Sequence, residues 1–219
     1  MPVITIGRQF GAGGATVGRM LAERLHADFL DSRIIDEVAR RLQLPKEEVE
    51  AEDEQPGSLL ARLLVALGSA STEPLIPPEA TAWNPPNAAP TFDTRKAVLQ
   101  ITQHVIEEAA RSGNVVIVGR GGAYILAKFP DALHVFLRAA DSVRVKTIMA
   151  RFNIASEEEA RKRMKQADEN WTSYIKQVYN HDRNDPAHYD IVLDTGRLGY
   201  DAVVDLVLAA LKERKPISQ

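Results

Sequence analysis

Residues 3–16 read Val-Ile-Thr-Ile-Gly-Arg-Gln-Phe-Gly-Ala-Gly-Gly-Ala-Thr. The β-branched run from Val3 to Ile6 predicts a short buried strand that ends at Gly7. Apolar residues then recur at helical spacing from Thr16 to Leu25. A glycine-rich loop between a strand and a helix favours phosphate binding. Its backbone N–H groups turn inward without a Cβ clash, and the helix N-terminus adds partial positive charge.

The loop departs from the usual phosphate-binding pattern GxxxxGK[ST], whose lysine reaches the terminal phosphates and whose hydroxyl holds Mg²⁺. With Gly13 as the second glycine, Gly14 stands at the lysine position and Ala15 at the hydroxyl position. A hydroxyl follows one residue later, at Thr16. A cation from elsewhere must then replace the lysine. The candidates are Arg8, Arg120 and the arginines of the charged helices. The alternative is a turn that only packs a helix against a sheet.

Other apolar runs predict further strands. They are Phe29–Leu30, Val115–Val118, Leu133–Leu137 and Tyr189–Leu193. Helical patterns occupy much of the rest: Ser32–Leu42, a segment from Pro45, Leu59–Leu67, a segment from Thr94 to Gly113, Asp141–Phe152, Ser156–Val178 and Tyr200–Leu211. Residues 52–94 become rich in proline after Gly68, which predicts an irregular loop. Continuous apolar strands separated by helices indicate an α/β protein whose parallel sheet is covered on both faces.

Composition narrows the function classes. The 219 residues are 45% hydrophobic and 26% charged, which is typical of a globular protein with a sizeable core. The chain has no cysteine, which excludes disulfides, thiolate metal sites and a cysteine nucleophile. A net charge of −3 argues weakly against general nucleic-acid binding. No apolar run is long enough to span a membrane, and the N-terminus does not resemble a signal peptide, so we expect a cytoplasmic protein.

The loop and three later segments together resemble the cytidylate-kinase-like branch of the P-loop nucleoside monophosphate kinases. The later segments are Val116–Gly121, Arg138–Arg151 and Tyr189–Leu198. The resemblance covers about residues 1–44 and 95–212. It implies a three-layer α/β/α P-loop kinase fold with a five-stranded parallel sheet and a helical lid. The implied organisation is a single domain over residues 1–219, with a proline-rich insertion at 52–94 and the lid region at 141–183.

The resemblance also implies where the acceptor nucleotide binds. Cytidylate kinases carry a Gly-Arg-Asp triplet whose arginine binds the acceptor phosphate; here Arg120 carries over, but Gly121 replaces the aspartate. A Leu-Asp-Ser/Thr-Gly element after the second strand lines the acceptor site in the family. Asp31 and Ser32 match it, with Arg33 in the glycine place. Helix capping is an equal and compatible role for Asp31 and Ser32.

The same family closes a helical lid over the donor phosphates with inward-pointing arginines. The matching region here contains Arg144, Arg151, Arg161 and Arg163. For any one of these arginines, a solvated charged helix surface is the alternative. The later stretch Asn180–Asp185 resembles the arginine-and-aspartate cluster after the lid, and Arg183 and Asp185 are the matching residues. We expect His181 and His188 to lie in surface loops.

The implied reaction is ATP-dependent phosphoryl transfer to a nucleoside monophosphate, with CMP or dCMP as the expected acceptor. The donor site would consist of Arg8, Gly11, Ala12, Gly13, Gly14, Ala15 and Thr16. Mg²⁺ would bridge the donor phosphates through Thr16, Asp31 or water. Arg120 and Arg183 would hold the acceptor phosphate, with Asp185 nearby, and lid arginines would close over the transferred group. Transfer of this kind needs positioning and positive charge rather than a strong general base.

Three alternatives stay open. Gly121 and the insertion suggest a kinase of another small metabolite. The missing lysine suggests a non-catalytic nucleotide-binding module. Trp83, Phe92 and the leucine-rich stretch Leu59–Leu67 suggest a subunit contact, so a homo-oligomer is one option, although an insertion that packs on its own domain is favoured. The expected partners are nucleotide substrates, with neither nucleic acid nor a membrane.

Overall fold

A computed structural model describes residues 1–31 and 94–214, with the backbone alone over 94–98. The helices predicted at Ser32–Leu42, from Pro45 and at Leu59–Leu67 lie outside the described residues. So do the site candidates Ser32 and Arg33 and all but the last residue of the 52–94 stretch.

The described chain alternates strands and helices. The strands are β1 (Val3–Arg8), β2 (Asp28–Leu30), β3 (Val115–Val118), β4 (Ala132–Arg138) and β5 (Ile191–Asp194). The helices are α1 (Gly14–Leu25), α2 (Thr94–Ser112), α3 (Gly122–Ile125), α4 (Asp141–Phe152), α5 (Glu157–Tyr179), α6 (Thr195–Leu198) and α7 (Tyr200–Glu213), with a 3₁₀ turn at Pro186–His188. None of the helices in these ranges is long and apolar enough to cross a membrane.

The strands form one five-stranded parallel sheet in the order β2-β3-β1-β4-β5, which confirms the predicted sheet. Strand β1 lies at its centre, where Ile6 pairs with Val118 of β3 and with Val135 of β4. The loops after β1, β3 and β4 therefore leave the sheet side by side. This carboxyl edge is where ligands of open parallel sheets bind.

Apolar side chains cover both faces of the sheet, as continuous apolar strands require. On one face Ile4 and Ile6 pack with α1 and α7, and on the other Val3 packs with α2. A third cluster joins α4 to α5 through Val145, Ile148, Ala160 and Met164. Phe10 of the glycine-rich loop packs against this third cluster, so the loop is anchored to the region predicted as a lid.

Two short helices, α3 and α6, were not predicted, because four residues are too few to show a helical period. Within the described part of the chain, a side-chain cap is present in α6 but not in α3. Asp194 caps α6 by accepting hydrogen bonds from the N–H groups of Gly196 and Arg197. Helix α1 also begins two residues earlier than predicted, at Gly14, because its N-cap Gly13 adopts a left-handed conformation.

His134 supplies a testable pH dependence. Its Nδ1 lies 2.7 Å from Thr5 Oγ1, and burial lowers the pKa of the imidazole below 6.5 despite the nearby Asp190 carboxylate. The unfolded chain therefore binds this proton more readily than the folded chain does. We expect the free energy of unfolding to fall as the pH drops below about 6.5 and this contribution to be complete above it.

Urea unfolding between pH 5 and 8 measures this effect in the wild type and in His134→Asn, which cannot titrate in that range. The variant should show a flatter pH profile than the wild type. Equal slopes in the two proteins would show that His134 does not carry the pH dependence.

Candidate functional site

The glycine-rich loop turns sharply between β1 and α1. Its backbone uses Gly11 and Gly13, whose φ angles of +83° and +79° lie in the left-handed region that glycine tolerates. The Gln9 N–H donates to the Leu137 carbonyl of β4 at 2.9 Å, which fixes the start of the loop. Among the described residues no side chain caps α1 at Gly13. The first-turn N–H groups of α1 therefore suit an anion.

A cleft of about 650 Å³ opens over this loop. Its lining includes these predicted site residues: Arg8, Gly11, Gly13, Gly14, Ala15, Thr16, Asp31, Arg120 and Arg151. The cleft thus brings together the loop, the end of β2, the loop after β3 and the end of α4. Ala12, by contrast, is only 1% exposed and packs in the core below the loop.

Arg120 reaches the cleft from an unusual turn after β3. Gly119, Arg120 and Gly121 all have positive φ angles, of +81°, +53° and +74°. The turn is tied to β1 because the Gly119 N–H donates to the Ile6 carbonyl at 2.9 Å. A non-glycine residue in the left-handed region is uncommon and is frequent at functional sites. Arg120 thus lines the same cleft as the glycine-rich loop.

Asp31 faces the same cleft from the end of β2. Its Oδ1 lies 3.8 Å from Arg8 Nη2, and both side chains are about a quarter exposed. Thr16 lies across the cleft in the first turn of α1. A hydroxyl and one carboxylate fit a Mg²⁺ ion that keeps several waters and is held mainly by substrate phosphates. Within residues 1–31 and 94–214 there is no group of three or more acidic or histidine side chains that would hold a metal alone.

Arg144 and Arg183 do not line this cleft. Both are 5% exposed, and both bind Asp168 of α5. Arg144 Nη1 lies 2.5 Å from Asp168 Oδ2, and Arg183 Nη2 lies 3.0 Å from Asp168 Oδ1. We call these three residues the Asp168 cluster. The structure thus places both arginines, which were predicted to bind phosphates, against Asp168 and not in the lining of this cleft.

The Asp168 cluster holds the backbone of the glycine-rich loop instead. Asp168 Oδ1 accepts a hydrogen bond from the Phe10 N–H at 3.1 Å, and Arg144 Nη1 donates to the Phe10 carbonyl at 3.2 Å. Arg183 Nη2 donates to the Arg8 carbonyl at 3.1 Å. The cluster therefore connects α4, α5 and the loop after α5 to the loop between β1 and α1.

The opposite charges within the Asp168 cluster stabilise one another. Burial alone would raise the pKa of the Asp168 carboxyl, but the Arg144 and Phe10 hydrogen bonds and the Arg183 charge outweigh it and hold that pKa below its usual value. Burial would likewise lower the pKa of Arg144, yet the hydrogen bonds that Arg144 donates to the Asp141 and Asp168 carboxylates raise it. Arg144 and Arg183 therefore each have the Asp168 carboxylate as an ion-pair partner.

The remaining arginines of the lid region divide by position. Arg151 lines the cleft at the end of α4, with its guanidinium 5.9 Å from the Phe152 ring. Arg163 lies over the same ring at 3.7 Å. Arg161 pairs with Glu157 at 2.6 Å on the exposed face of α5, as the alternative of a solvated helix surface predicts.

The residues after α5 have structural partners. Asp185 Oδ1 accepts a hydrogen bond from the Ala187 N–H at 2.9 Å and caps the 3₁₀ turn, so it does not reach the cleft. The rings of His181 and His188 lie 4.3 Å apart and pack against Tyr124. His181 is exposed.

The residues of the site region that were not predicted include Asp168, Trp171 and Tyr200. Trp171 and Tyr200 line the cleft, and Asp168 lies behind it. Asp168 and Trp171 belong to the strongly charged helix α5, where one carboxylate among many carries no distinguishing sequence signal. Tyr200 begins α7, far from the loop in sequence.

The chain is similar in sequence to several known proteins. The profile of the cytidylate kinase-like family matches residues 3–197. The cytidylate kinase of Methanopyrus kandleri is 34% identical over 112 residues, which are 48% of this chain and 58% of that protein. The cytidylate kinase of Methanocaldococcus jannaschii is 34% identical over 111 residues, 49% of this chain and 61% of that protein. The match thus spans about three fifths of the length of each relative.

Solved structures show the same fold at low identity. An uncharacterized protein from Eubacterium ventriosum superposes with a TM-score of 0.68 at 20% identity, covering 98% of this chain and 100% of that one. The shikimate kinase of Bacteroides thetaiotaomicron gives 0.52 at 14% identity, covering 96% and 98%. The parallel five-stranded sheet is therefore that of the P-loop kinases. Since the family profile spans most of its length, the chain belongs to the cytidylate kinase-like family.

Proposed function

We propose that the chain transfers the γ-phosphoryl group of ATP to a nucleoside monophosphate, with CMP or dCMP as the acceptor. The observation that carries the proposal is the single cleft that brings the glycine-rich loop together with Asp31, Arg120 and Arg151. The cytidylate kinases it resembles support the choice of acceptor. In the reaction an acceptor phosphate oxygen bonds to the γ-phosphorus as the bond to the β–γ bridging oxygen breaks, giving ADP and a nucleoside diphosphate.

The donor phosphates bind at the N-terminus of α1. The N–H groups of Gly14, Ala15 and Thr16 belong to the first turn, where the helix carries partial positive charge. The loop is preorganised because its backbone is held at Arg8 and Phe10 by the Asp168 cluster. Preorganised donors stabilise developing negative charge without reorganisation during the reaction.

The acceptor phosphate binds at Arg120. Its guanidinium comes from the turn after β3, next to the loop and facing the same cleft as Asp31. Arg144 and Arg183 take a positioning role in this proposal, because their contacts are to Asp168 and to loop carbonyls. Arg151 remains the lid arginine that faces the cleft.

The lid consists of α4 and α5, within residues 141–183 of a single domain. These helices pack on each other around Ile148 and Met164 and contact the loop through Phe10. Closure of such a lid excludes water and suppresses hydrolysis of the donor. Mg²⁺, held through Thr16 and Asp31, would offset the negative charge of the donor phosphates.

A coupled assay of ADP release with ATP, Mg²⁺ and each nucleoside monophosphate tests the proposal. Turnover should be fastest with CMP or dCMP. Folded protein that turns over none of CMP, dCMP and UMP would overturn the cytidylate assignment. Tight ATP binding without transfer to any acceptor would favour a non-catalytic nucleotide-binding module instead.

One observation favours a second candidate, a kinase of another small metabolite. Gly121 stands where the family triplet has aspartate, and a Cβ at that position would lie 2.6 Å from the Tyr179 ring. Tyr179 thus occupies the space that an aspartate side chain would enter. ATP-dependent phosphorylation in a metabolite panel, with no turnover of nucleoside monophosphates, would favour this candidate.

A further inference from the structure

The side chain of Arg8 occupies the space above Gly14, the lysine position of the usual phosphate-binding pattern. A Cβ built on Gly14 would lie 2.8 Å from Arg8 Cγ, 3.1 Å from Cδ and 3.2 Å from Cβ. The three nearest atoms all belong to Arg8. The aliphatic stem of Arg8 therefore lies where a side chain at position 14 would begin.

The guanidinium of Arg8 continues across the floor of the cleft to the turn after β3. A Cβ on Gly119 would overlap Arg8 Nη1. The charged group also lies 3.8 Å from Asp31 and 5.8 Å from the centre of the Trp171 ring. Glycine at positions 14 and 119 thus makes room for the two ends of one arginine side chain.

Arg8 starts from a rigid position. It is the last residue of β1, it is in register with Leu137 of β4, and its carbonyl accepts a hydrogen bond from Arg183 Nη2 at 3.1 Å. A cation on a fixed strand end stabilises charge better than one on a mobile loop, because little reorganisation is needed. Its planar fork can also donate to two phosphate oxygens at once.

We propose that Arg8 supplies the positive charge that the missing lysine provides elsewhere, by binding the donor's terminal phosphates from across Gly14. This inference rests on the proposed function and names the residue that completes its donor site. The other candidates do not fill the space at position 14, where the three atoms nearest to a Cβ all belong to Arg8. Arg120 comes from the turn after β3, and Arg151 lies beside Phe152 at the end of α4.

The test is equilibrium binding of ATP and of inorganic tripolyphosphate, measured by calorimetry. Arg8→Met keeps much of the stem and removes the charge. It should weaken binding of both ligands by about 10–100-fold, as loss of a charged hydrogen bond implies. Adding lysine at the usual position, in Arg8→Ala/Gly14→Lys, should restore part of the affinity that Arg8→Ala loses, because alanine lacks the Cγ and Cδ atoms that otherwise lie 2.8 Å and 3.1 Å from a Cβ at position 14.

Arg24→Met is the matched control, since Arg24 is an exposed arginine of α1 that pairs with Asp205. It should bind tripolyphosphate as the wild type does. Thermal melting shows which variants fold. If Arg8→Met does not fold, Arg8→Gln replaces it as the uncharged variant. Arg8→Lys, which keeps a positive charge, should bind tripolyphosphate with an affinity within about tenfold of that of the wild type. Wild-type affinity in a folded uncharged Arg8 variant, or failure of Arg8→Lys to bind better than Arg8→Gln, would overturn the inference.

The binding test and the acceptor panel examine the role of Arg8 and the proposed function separately. Turnover of CMP by the wild type, with unchanged tripolyphosphate binding in Arg8→Met, would remove the role of Arg8 and leave the proposed function standing. Tripolyphosphate binding that depends on Arg8, with no turnover of any acceptor, would support the role of Arg8 and remove the proposed function.

Discussion

Asp168→Ala should lower the free energy of unfolding by about 3–5 kcal/mol, the cost of breaking a buried ion pair by removing one partner. The substitution leaves the guanidinium groups of Arg144 and Arg183, each 5% exposed, without their shared carboxylate. It also removes the acceptor of the Phe10 N–H, so the loop between β1 and α1 loses part of its support. Urea unfolding at pH 7 measures the loss of stability.

Asp205→Ala is the control for this prediction. Asp205 makes a 2.6 Å pair with Arg24, but both side chains are more than half exposed. An exposed pair contributes about 0–1 kcal/mol, so this variant should stay close to the wild type. Similar stability of the two variants would show that the Asp168 cluster does not hold the loop.

Arg120→Ala should lower kcat/KM for the acceptor nucleotide by about 10²–10³-fold, as loss of one preorganised charge-stabilising group does. The affinity for ATP should change little, because in this proposal the donor phosphates are held by the N–H groups of the first turn of α1 and by Arg8 rather than by Arg120. The substitution adds little backbone strain, since Arg120 itself already has the left-handed conformation, with φ +53°. Steady-state kinetics with varied acceptor, together with ATP calorimetry, measures both quantities.

Arg138→Ala is the matched control for Arg120→Ala. Arg138 ends β4 at the same edge of the sheet, is 60% exposed and pairs with Asp194 at 3.5 Å, but it does not line the cleft. Its removal should leave acceptor kinetics nearly unchanged. An equal loss of ATP and acceptor binding in Arg120→Ala would show that Arg120 serves the donor rather than the acceptor.

The fold could be predicted because its signals are local. Val115–Val118 is apolar on successive residues and Val3–Ile6 is β-branched throughout, as suits strands buried on both faces, and a glycine follows each run. The loop at Gly11 to Gly14 was recognised from its place between strand and helix. Arg120 was recognised from the family triplet, and the structure places both at one cleft.

The Asp168 cluster could not be predicted, because its signal is not local. Arg144 and Asp168 lie on helices rich in charge, and sequence periodicity does not distinguish a buried ion pair from a solvated one. Their common target, the backbone of Phe10, carries no side-chain signal for this contact.

The path of Arg8 across Gly14 and Gly119 likewise depends on tertiary structure. Positions 14 and 119 come to lie at the two ends of the Arg8 side chain only when β1 and β3 pair. The sequence could nominate Arg8 as one of several cations, but only the folded chain shows which side chain occupies the space of the missing lysine.

The most direct test of the account is ³¹P NMR of the wild-type chain with ATP, Mg²⁺ and CMP. Transfer predicts that the CMP resonance is replaced by the two resonances of CDP as ATP becomes ADP, with little inorganic phosphate. The same should hold with dCMP. ATP that stays intact, or that yields only ADP and inorganic phosphate, would contradict the account.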